Sequence, residues 1–402
     1  MAESKFNRRD MLRRASGTAA VGAASYSRIL GANDRIHLGF VGCGGRGQYV
    51  MDVFRKNPEV EIAAVCDVWA DRVAQAREKA PGARGFADHR ALLEMKDLDA
   101  VDVSTPDHWH AAVAIDAMNA GKDVYVEKPL TLRIEEGPAV VKAARVNHRI
   151  CQVGMQRRSG IAYLEAKRDF FDTGHFGKLL MFRSWWHKNP VYTLRAPDSL
   201  RMQPANLDWA RFLGQVRWRD WDPQQYWCFR SYLDFGGGQV TDLFTHWIDV
   251  VHMFTGSDIP DAAVAAGGIY SFPDGRTSPD TIHVGLEYPE GFTATFDAAL
   301  AASERTAGAE FIGTGGRLIF DGPRAEYHPA EKGAPPVVRE HPGDPVVEHV
   351  RNFLDCVRTR RTPNADVLAG HRSARAAHLC NIAYKESRRI RFDPQLEAIV
   401  QE

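Results

Sequence analysis

A glycine-rich turn near residue 45 is the feature that most constrains how this chain can fold. The apolar run 35–41 has strand character, and apolar residues at helical spacing occupy 48–56. Between them lies a G-x-G-x-x-G motif with the residues Gly42, Gly44, Gly45, Arg46 and Gly47. A strand, a glycine turn and a helix in this order are typical of a dinucleotide-binding Rossmann unit, because the glycines allow a tight turn and a close approach to pyrophosphate.

The second predicted strand, residues 60–66, strengthens this interpretation because it ends at an acid. Asp67 lies twenty residues after Gly47. A carboxylate there accepts hydrogen bonds from the adenosine ribose and repels a 2′-phosphate. The sequence therefore predicts NAD as the cofactor in preference to NADP.

Strands and helices continue to alternate after this acid. The predicted strands are 100–103, 123–126 and 150–153, and the predicted helices are 110–120 and 133–146. Such alternation predicts a doubly wound parallel sheet, in which ligands bind beyond the carboxyl ends of the strands. Two short motifs fall at those ends, namely Thr105-Pro106 and Glu127-Lys128-Pro129.

Composition narrows the classes of function. The 402 residues suit two domains, and the formal net charge of zero gives no general attraction to nucleic acid. Six cysteines occur without a CxxC pair, so no zinc or redox motif is visible, although a disulfide between distant cysteines stays open. We predict no metal site and no nucleic-acid partner.

The first 32 residues differ from the rest. Arg8 and Arg9 precede a weakly apolar run over 15–25, which is too short to span a bilayer as a helix. This layout indicates an export signal of the twin-arginine type and a periplasmic location. The alternative is a disordered or amphipathic tail.

A second chemical motif follows the glycines at 236–238. Asp242 and His246 are four residues apart, which would place them on one face of a helix. Histidine can take the proton of an alcohol near neutral pH, and a neighbouring carboxylate can hold its ring. This pair is a candidate for acid–base chemistry on a hydroxyl group.

Together these motifs resemble the Gfo/Idh/MocA oxidoreductases (glucose–fructose oxidoreductase and inositol dehydrogenase). The resemblance is carried by the glycine turn, by Thr105-Pro106-Asp107-His108-Trp109-His110, by Glu127-Lys128-Pro129, and by Asp242 with His246. One departure is Asp107, where many relatives carry Asn. The resemblance spans nearly the whole chain after the signal.

The resemblance implies the α/β class, with a Rossmann domain over 33–154 and an α/β domain over 155–402. The second domain would be built on a large open, mostly antiparallel sheet, and a homo-dimer or homo-tetramer is expected. Strand-like runs at 179–187, 262–271, 280–288, 291–298 and 309–320 agree with this, as does helical character at 346–359 and 366–388.

The resemblance also implies site residues. His246 would be the general base, Asp242 its orienting group or a substrate ligand, and Lys128 the group that polarises the oxygen; whether Lys128 or His246 takes the proton stays open. The cofactor would contact Thr105, Pro106, His110, Glu127 and Lys128 besides the glycine turn and Asp67.

Candidate substrate ligands follow the last strand of the first domain and occur among aromatic residues of the second. Gln156 and Arg157 could reach substrate hydroxyls or could form an interdomain ion-pair cluster. Trp186, His187 and Tyr226 could stack on a sugar or simply belong to the core.

The leading hypothesis is an NAD-dependent oxidoreductase that moves a hydride between bound cofactor and a hydroxyl of a sugar, sugar derivative or cyclitol. The first alternative is a glycoside hydrolase or lyase that works by transient oxidation and elimination. The second is a non-catalytic sugar-binding protein with the same fold.

Overall fold

The computed structural model describes residues 35–257 and 259–400, which form one parallel and one mostly antiparallel sheet with helices packed on both. The α/β class predicted from the sequence is confirmed. The predicted export signal over 1–32 lies outside the described residues.

The first domain is a six-stranded parallel sheet in the order β3-β2-β1-β4-β5-β6. Its elements are β1 (Ile36–Val41), α1 (Gly45–Phe54), β2 (Val60–Cys66), α2 (Ala70–Lys79), β3 (Arg84–Phe86), α3 (His89–Leu93), β4 (Ala100–Val103), α4 (Asp107–Asn119), β5 (Asp123–Val126), α5 (Gly137–Val146) and β6 (Cys151–Val153). The sequence analysis missed β3 because a three-residue strand containing glycine gives no periodic signal.

The strand order positions the cleft. β2 and β4 lie on either side of β1, so the sheet grows from β1 to β3 in one direction and from β4 to β6 in the other. This change of direction leaves a crevice beyond the carboxyl end of β1. Every residue of β4 and β5 is buried because helices cover both faces of the sheet.

The second domain contains a ten-stranded sheet in the order β14-β13-β12-β11-β7-β10-β9-β8-β15-β16, in which only the β7–β10 pair is parallel. The strands are β7 (Leu179–Trp186), β8 (Ala262–Gly268), β9 (Thr281–Tyr288), β10 (Phe292–Ala299), β11 (Ala307–Gly313), β12 (Gly316–Asp321), β13 (Arg324–Pro329), β14 (Val337–Glu340), β15 (Ile390–Asp393) and β16 (Ala398–Val400). The strand-like sequence at 309–320 forms a hairpin that turns between β11 and β12.

The helices of this half are α6 (Ile161–Ala166), α7 (Trp209–Leu213), α8 (Pro223–Trp227), α9 (Thr245–Thr255), α10 (Pro345–Thr359) and α11 (Val367–Glu386). Residues of β9 and β10 alternate between buried and more exposed positions, as expected for a sheet with one covered face. Phe244, Phe296 and Phe311 lie in the core of this domain.

The C-terminal helices return to the first domain. Phe353 of α10 makes edge-to-face contacts with Phe54 and Tyr125, and Ala374 of α11 belongs to the core beneath β4 and β5. The predicted division at residue 155 therefore separates the two sheets but not the helices that pack on them.

Within 35–257 and 259–400, no helix is long and apolar enough to cross a bilayer. The same residues contain no cluster of three or more His, Cys, Asp or Glu side chains suited to a metal ion. All six cysteines are buried and free.

Candidate functional site

A cleft of about 510 Å³ opens at the carboxyl ends of β1, β2, β4 and β5, and both domains line it. This volume is typical of small-molecule sites. The first domain contributes Gly42, Gly44, Gly45, Arg46, Asp67, Thr105, Pro106, His110, Glu127 and Lys128, and the second contributes Gln156, Tyr226, Arg230 and His246.

The glycine turn has the geometry of a phosphate cradle. Gly42 has a φ of +95°, and a Cβ there would lie 2.6 Å from the backbone of Ser104. A Cβ on Gly47 would lie 1.9 Å from the carbonyl oxygen of Gly42, so only glycine allows α1 to pack this closely on β1. Helix α1 begins at Gly45, where its free N–H groups and positive dipole end suit a pyrophosphate.

The Asp67 carboxylate is fixed beside this turn. Its Oδ2 accepts from the N–H of Cys43 at 2.8 Å, and its Oδ1 accepts from the N–H of Trp69 at 2.9 Å. Each carboxylate oxygen keeps a further lone pair for a ribose hydroxyl. The Thr105 hydroxyl, which also lines the cleft, is buried and has no hydrogen-bond partner in the part of the chain that the structure describes. The cradle and this orphaned hydroxyl fit a bound dinucleotide.

Glu127 and His110 hold the loops that form the floor of the cleft. Both Nε and Nη2 of Arg46 lie 2.7 Å from Oε1 of Glu127, which ties α1 to the end of β5. The two ring nitrogens of His110 lie 2.7 Å from the carbonyl oxygen of Pro129 and 2.8 Å from that of Thr105. These contacts join the segments that follow β4 and β5.

A buried ion pair between the two domains fixes Lys128. Its Nζ donates to Oδ1 of Asp242 and, at 2.8 Å, to the main-chain oxygen of that residue. Tyr192 donates to Oδ2 at 2.8 Å, and Nε of Arg230 lies 3.5 Å from Oδ1. Burial alone would raise the pKa of Asp242, but Lys128 and Arg230 hold it well below its usual value. Asp242 is therefore a carboxylate that holds the lysine at the cleft.

His246 lies in the first turn of α9 and lines the same cleft. Its Nδ1 is buried, and no described residue forms a hydrogen bond with it. Burial and then the positive charges of Lys128 and Arg157 lower the pKa of His246 well below 6.5. The ring is therefore neutral near pH 7 and able to accept a proton.

The predicted pairing of Asp242 with His246 needs correction. Residues Val240–Phe244 form a π-helical turn, so the four-residue spacing does not follow a regular α-helix here. The Asp242 oxygens are occupied by Lys128 and Tyr192. Asp242 orients Lys128 and not the His246 ring.

The structure places only some of the candidate substrate residues at the cleft. Gln156 lines the cleft, and its buried Oε1 accepts no hydrogen bond from the residues that the structure describes. The Arg157 guanidinium instead stacks on Trp247, with Cζ 3.4 Å from the ring centre, and Arg157 does not line the cleft. Because its guanidinium packs on Trp247, Arg157 is not placed to contact substrate hydroxyls in the cleft.

Trp186 and His187, at the end of β7, also lie outside the residues that line the cleft. Nε2 of His187 lies 2.7 Å from Asp297, so the ring is held on the sheet. Tyr226 does line the cleft, but its ring lies over Arg72 at the end near Asp67. That position is the adenosine end of the cleft and not the end that contains Lys128.

Sequence reasoning gave no role to three residues at the site. Tyr192 and Arg230 belong to an irregular segment without periodicity, so nothing in the sequence marked them as partners of Asp242. Asp107 was noted only as a departure from the family motif. It is 4% exposed, its Oδ2 has no hydrogen-bond partner within 35–257 and 259–400, and burial raises its pKa. Its carboxyl group therefore lines the cleft with unused hydrogen-bonding capacity.

Comparison with known proteins gives one family for both halves of the chain. Residues 36–155 match the model described as "Oxidoreductase family, NAD-binding Rossmann fold" of GFO_IDH_MocA, and residues 208–319 match the "GFO/IDH/MocA C-terminal domain". The first model confirms the predicted NAD-binding domain.

Curated relatives include two inositol dehydrogenases. Inositol 2-dehydrogenase 2 of Saccharopolyspora erythraea is 35% identical over 44% of this chain and 53% of its own length. The scyllo-inositol 2-dehydrogenase (NAD(+)) of Bacillus subtilis is 25% identical over 82% of this chain and 88% of its own length. The match thus spans about half of the first relative and most of the second.

Solved structures share the whole architecture. A levoglucosan dehydrogenase in complex with NADH and levoglucosan superimposes with a TM-score of 0.71, at 18% identity, over 89% of this chain and 99% of its own. This likeness confirms the predicted combination of a Rossmann domain with a second, mostly antiparallel sheet.

Proposed function

Because the chain belongs to the Gfo/Idh/MocA oxidoreductase family, we propose that it is an NAD-dependent oxidoreductase that acts on a hydroxyl group of a sugar, sugar derivative or cyclitol. The observation that carries this proposal is that Lys128 and His246, from different domains, line the cleft that begins at the glycine turn. Similarity to inositol dehydrogenases and to a levoglucosan dehydrogenase supports the polyol substrate class.

The cofactor half of the cleft has a residue for each part of NAD. The glycine turn and the start of α1 would hold the pyrophosphate, and Asp67 would accept from the adenosine ribose. The Thr105 hydroxyl and Lys128 would face the part of the dinucleotide that reaches the ends of β4 and β5.

Bound NAD supplies a nicotinamide ring that accepts or returns a hydride. His246 takes the hydroxyl proton of the substrate, because its neutral ring accepts a proton without first losing one. Lys128 donates a hydrogen bond to the same oxygen and stabilises its developing negative charge. Asp242 keeps the ammonium group in place through their ion pair. In the reverse direction His246 returns the proton.

Substrate recognition would use polar groups left unused within the chain. Gln156 and Asp107 both line the cleft. Oε1 of Gln156 and Oδ2 of Asp107 have no hydrogen-bond partner among the described residues. Either can bind a hydroxyl, and a ring with several hydroxyl groups satisfies both. A site with such groups discriminates strongly against analogues that lack the matching hydroxyl, because a buried polar group is then unpaired.

A substrate screen tests the proposal. The purified protein is mixed with NAD and a panel of cyclitols, aldoses, anhydrosugars and glycosides, and the absorbance of reduced nicotinamide is followed. We expect reduction with at least one polyol, and reduction at least roughly a hundredfold slower with the His246→Asn variant. Equal signals from the two proteins would contradict the assignment of the site.

The same screen separates net oxidation from transient oxidation. A glycosidase that oxidises, eliminates and re-reduces its substrate would release an aglycone without accumulating reduced nicotinamide. A dehydrogenase accumulates reduced nicotinamide and releases no aglycone. We propose the dehydrogenase, since the inositol dehydrogenase similarity extends across both domains.

We also propose that residues 1–32 direct export through the twin-arginine route to the periplasm. The paired arginines at 8 and 9 and the short apolar run support this proposal. Replacing both arginines by lysine should keep the protein in the cytoplasmic fraction. Export at the original level would contradict the proposal.

We further propose a homo-dimer or homo-tetramer. Strands of the large sheet carry exposed apolar residues, including Leu180, Met181 and Val264, which a second copy of the chain could cover. Native mass spectrometry should report two or four subunits. A monomer at micromolar concentration would contradict this proposal.

A further inference from the structure

Residues 190–235, here called the strap, extend from the second domain to the first. Leu207 and Trp69 form an isolated antiparallel bridge between the two domains. The Asn206 side chain accepts from Nε1 of Trp69 at 3.1 Å and donates to Asp71 at 2.7 Å. One part of the strap is thus attached to the segment that follows β2.

A second part of the strap is attached to α4, which follows β4. The carbonyl oxygen of Phe212 accepts from Nε1 of Trp109 at 2.9 Å and lies 2.7 Å from Nε2 of His108. Because β1 lies between β2 and β4, the strap bridges both sides of the glycine turn. A dinucleotide in this turn would lie beneath it.

Tyr226 of the strap lies at the adenosine end of this bridge. Cζ of Arg72 is 5.1 Å from the centre of the Tyr226 ring, and Nη1 of Arg72 would be 3.3 Å from a Cβ on Gly44. Tyr226 and Asp67 line the same cleft. Through Arg72, the tyrosine is therefore next to both the phosphate cradle and the ribose acid.

The Tyr226 hydroxyl has no hydrogen-bond partner among residues 35–257 and 259–400. The residue is 3% exposed, and its hydroxyl oxygen is buried. An unsatisfied buried hydroxyl is destabilising, and most buried polar groups in folded proteins have a hydrogen-bond partner, so an acceptor atom of a bound ligand would explain this one. Burial raises the pKa of Tyr226, so the hydroxyl stays protonated and can donate.

We propose that the Tyr226 hydroxyl binds the adenosine half of NAD, at a ribose hydroxyl or a phosphate oxygen, and that the strap retains the dinucleotide between turnovers. Release of NAD then requires the strap to detach from the first domain. This inference needs only NAD binding and not the identity of the substrate, so it can fail while the proposed function stands, or the reverse.

The Tyr226→Phe variant tests the contact. It removes only the hydroxyl and keeps the ring over Arg72. The matched control is Tyr232→Phe, since Tyr232 belongs to the same aromatic cluster but does not line the cleft. We expect NAD to dissociate roughly tenfold faster from Tyr226→Phe, as for one lost hydrogen bond, and at the wild-type rate from the control. Unchanged dissociation in Tyr226→Phe would overturn the proposal.

Two further measurements locate the contact and test retention. ADP-ribose contains the adenosine half of NAD, so Tyr226→Phe should weaken ADP-ribose and NAD binding by the same factor. Weaker binding of NAD alone would place the hydroxyl at the nicotinamide half and contradict the proposal. Asn206→Ala removes two hydrogen bonds between the strap and the first domain without changing the Tyr226 side chain, and should also speed NAD release. Wild-type release from Asn206→Ala would contradict retention by the strap.

Discussion

The two walls of the cleft are built in different ways. The wall from the first domain consists of short turns at the ends of parallel strands, where the glycine turn, Asp67 and Lys128 lie close to regular elements. The opposite wall comes from the irregular strap and from the π-helical turn before His246. The first wall therefore presents most of the groups proposed for the cofactor, together with Lys128, which is proposed to act on the substrate oxygen.

The opposite wall carries His246 and the residues that surround Asp242. Tyr192 and Arg230 of the strap surround Asp242, and Asp242 in turn holds Lys128 of the first wall. The proposed catalysis therefore depends on an ion pair across the cleft, to which both walls contribute. The predictions below change one wall at a time, from the largest expected effect to the smallest.

Replacing His246 on the second wall by Asn should give the largest loss. The variant lacks the group that accepts the hydroxyl proton, and such a group contributes roughly 10²- to 10⁴-fold to a rate. We expect kcat to fall by that factor while the dissociation constant of NAD stays within about twofold. Steady-state kinetics and a binding titration measure the two values, and parallel losses in both would indicate a structural role only.

Replacing Lys128 on the first wall by Met should lower kcat by roughly 10²- to 10³-fold, as expected when one donor to a developing oxyanion is removed. The Asp242 carboxylate would then lose its main partner. A Lys128→Arg control keeps the positive charge but replaces the compact ammonium group by a planar guanidinium, and should recover only part of the rate. Full activity in Lys128→Met would show that the cross-cleft ion pair is not part of catalysis.

Replacing Asp67 by Ser should change cofactor choice and leave the second wall intact. The variant loses a charged acceptor for the ribose and no longer repels a 2′-phosphate. We expect NAD to bind roughly tenfold more weakly and the preference for NAD over NADP to fall by at least that factor. Calorimetric titration with both nucleotides measures this, and an unchanged preference would contradict the role of Asp67.

The pH dependence of kcat reports on His246 itself. Its neutral ring is the active form, and its pKa is lowered by burial and nearby positive charges. Activity should therefore be lost as pH falls, but only well below about 6.5, the ordinary histidine value. A wild-type rate that halves near pH 6.5 would show that the ring is not buried beside Lys128 as described.

The smallest effect is expected for Tyr192→Phe on the second wall. The variant removes one hydrogen bond to Oδ2 of Asp242 and leaves the bond from Lys128. Such a bond contributes about 1 kcal/mol, so kcat should fall roughly fivefold. A loss as large as that of Lys128→Met would mean that Tyr192 touches the substrate directly.

The difference between the walls also explains what the sequence could predict. The glycine turn, Asp67 and Lys128 follow strands with clear apolar patterns. Their position at one edge of the parallel sheet could therefore be predicted from the sequence. Short strands such as β3 were missed because three residues show no periodicity.

The second wall was harder to predict because its contacts join distant parts of the chain. Asp242 and His246 were found, but the π-helical turn changed their relation, and spacing alone could not show this. Tyr226 was predicted at the substrate, whereas the strap positions it near Asp67. The sequence of a segment without regular structure has no periodic pattern from which its neighbours in the fold could be predicted.

Tracing a deuterium atom tests the central claim most directly. The best substrate of the screen is labelled at its carbinol carbon and mixed with NAD-loaded protein for a single turnover, and the quenched nucleotide is analysed by mass spectrometry. We predict that the deuterium appears in the nicotinamide ring, and much more slowly in His246→Asn. Oxidised product with an unlabelled nicotinamide would contradict hydride transfer in this cleft.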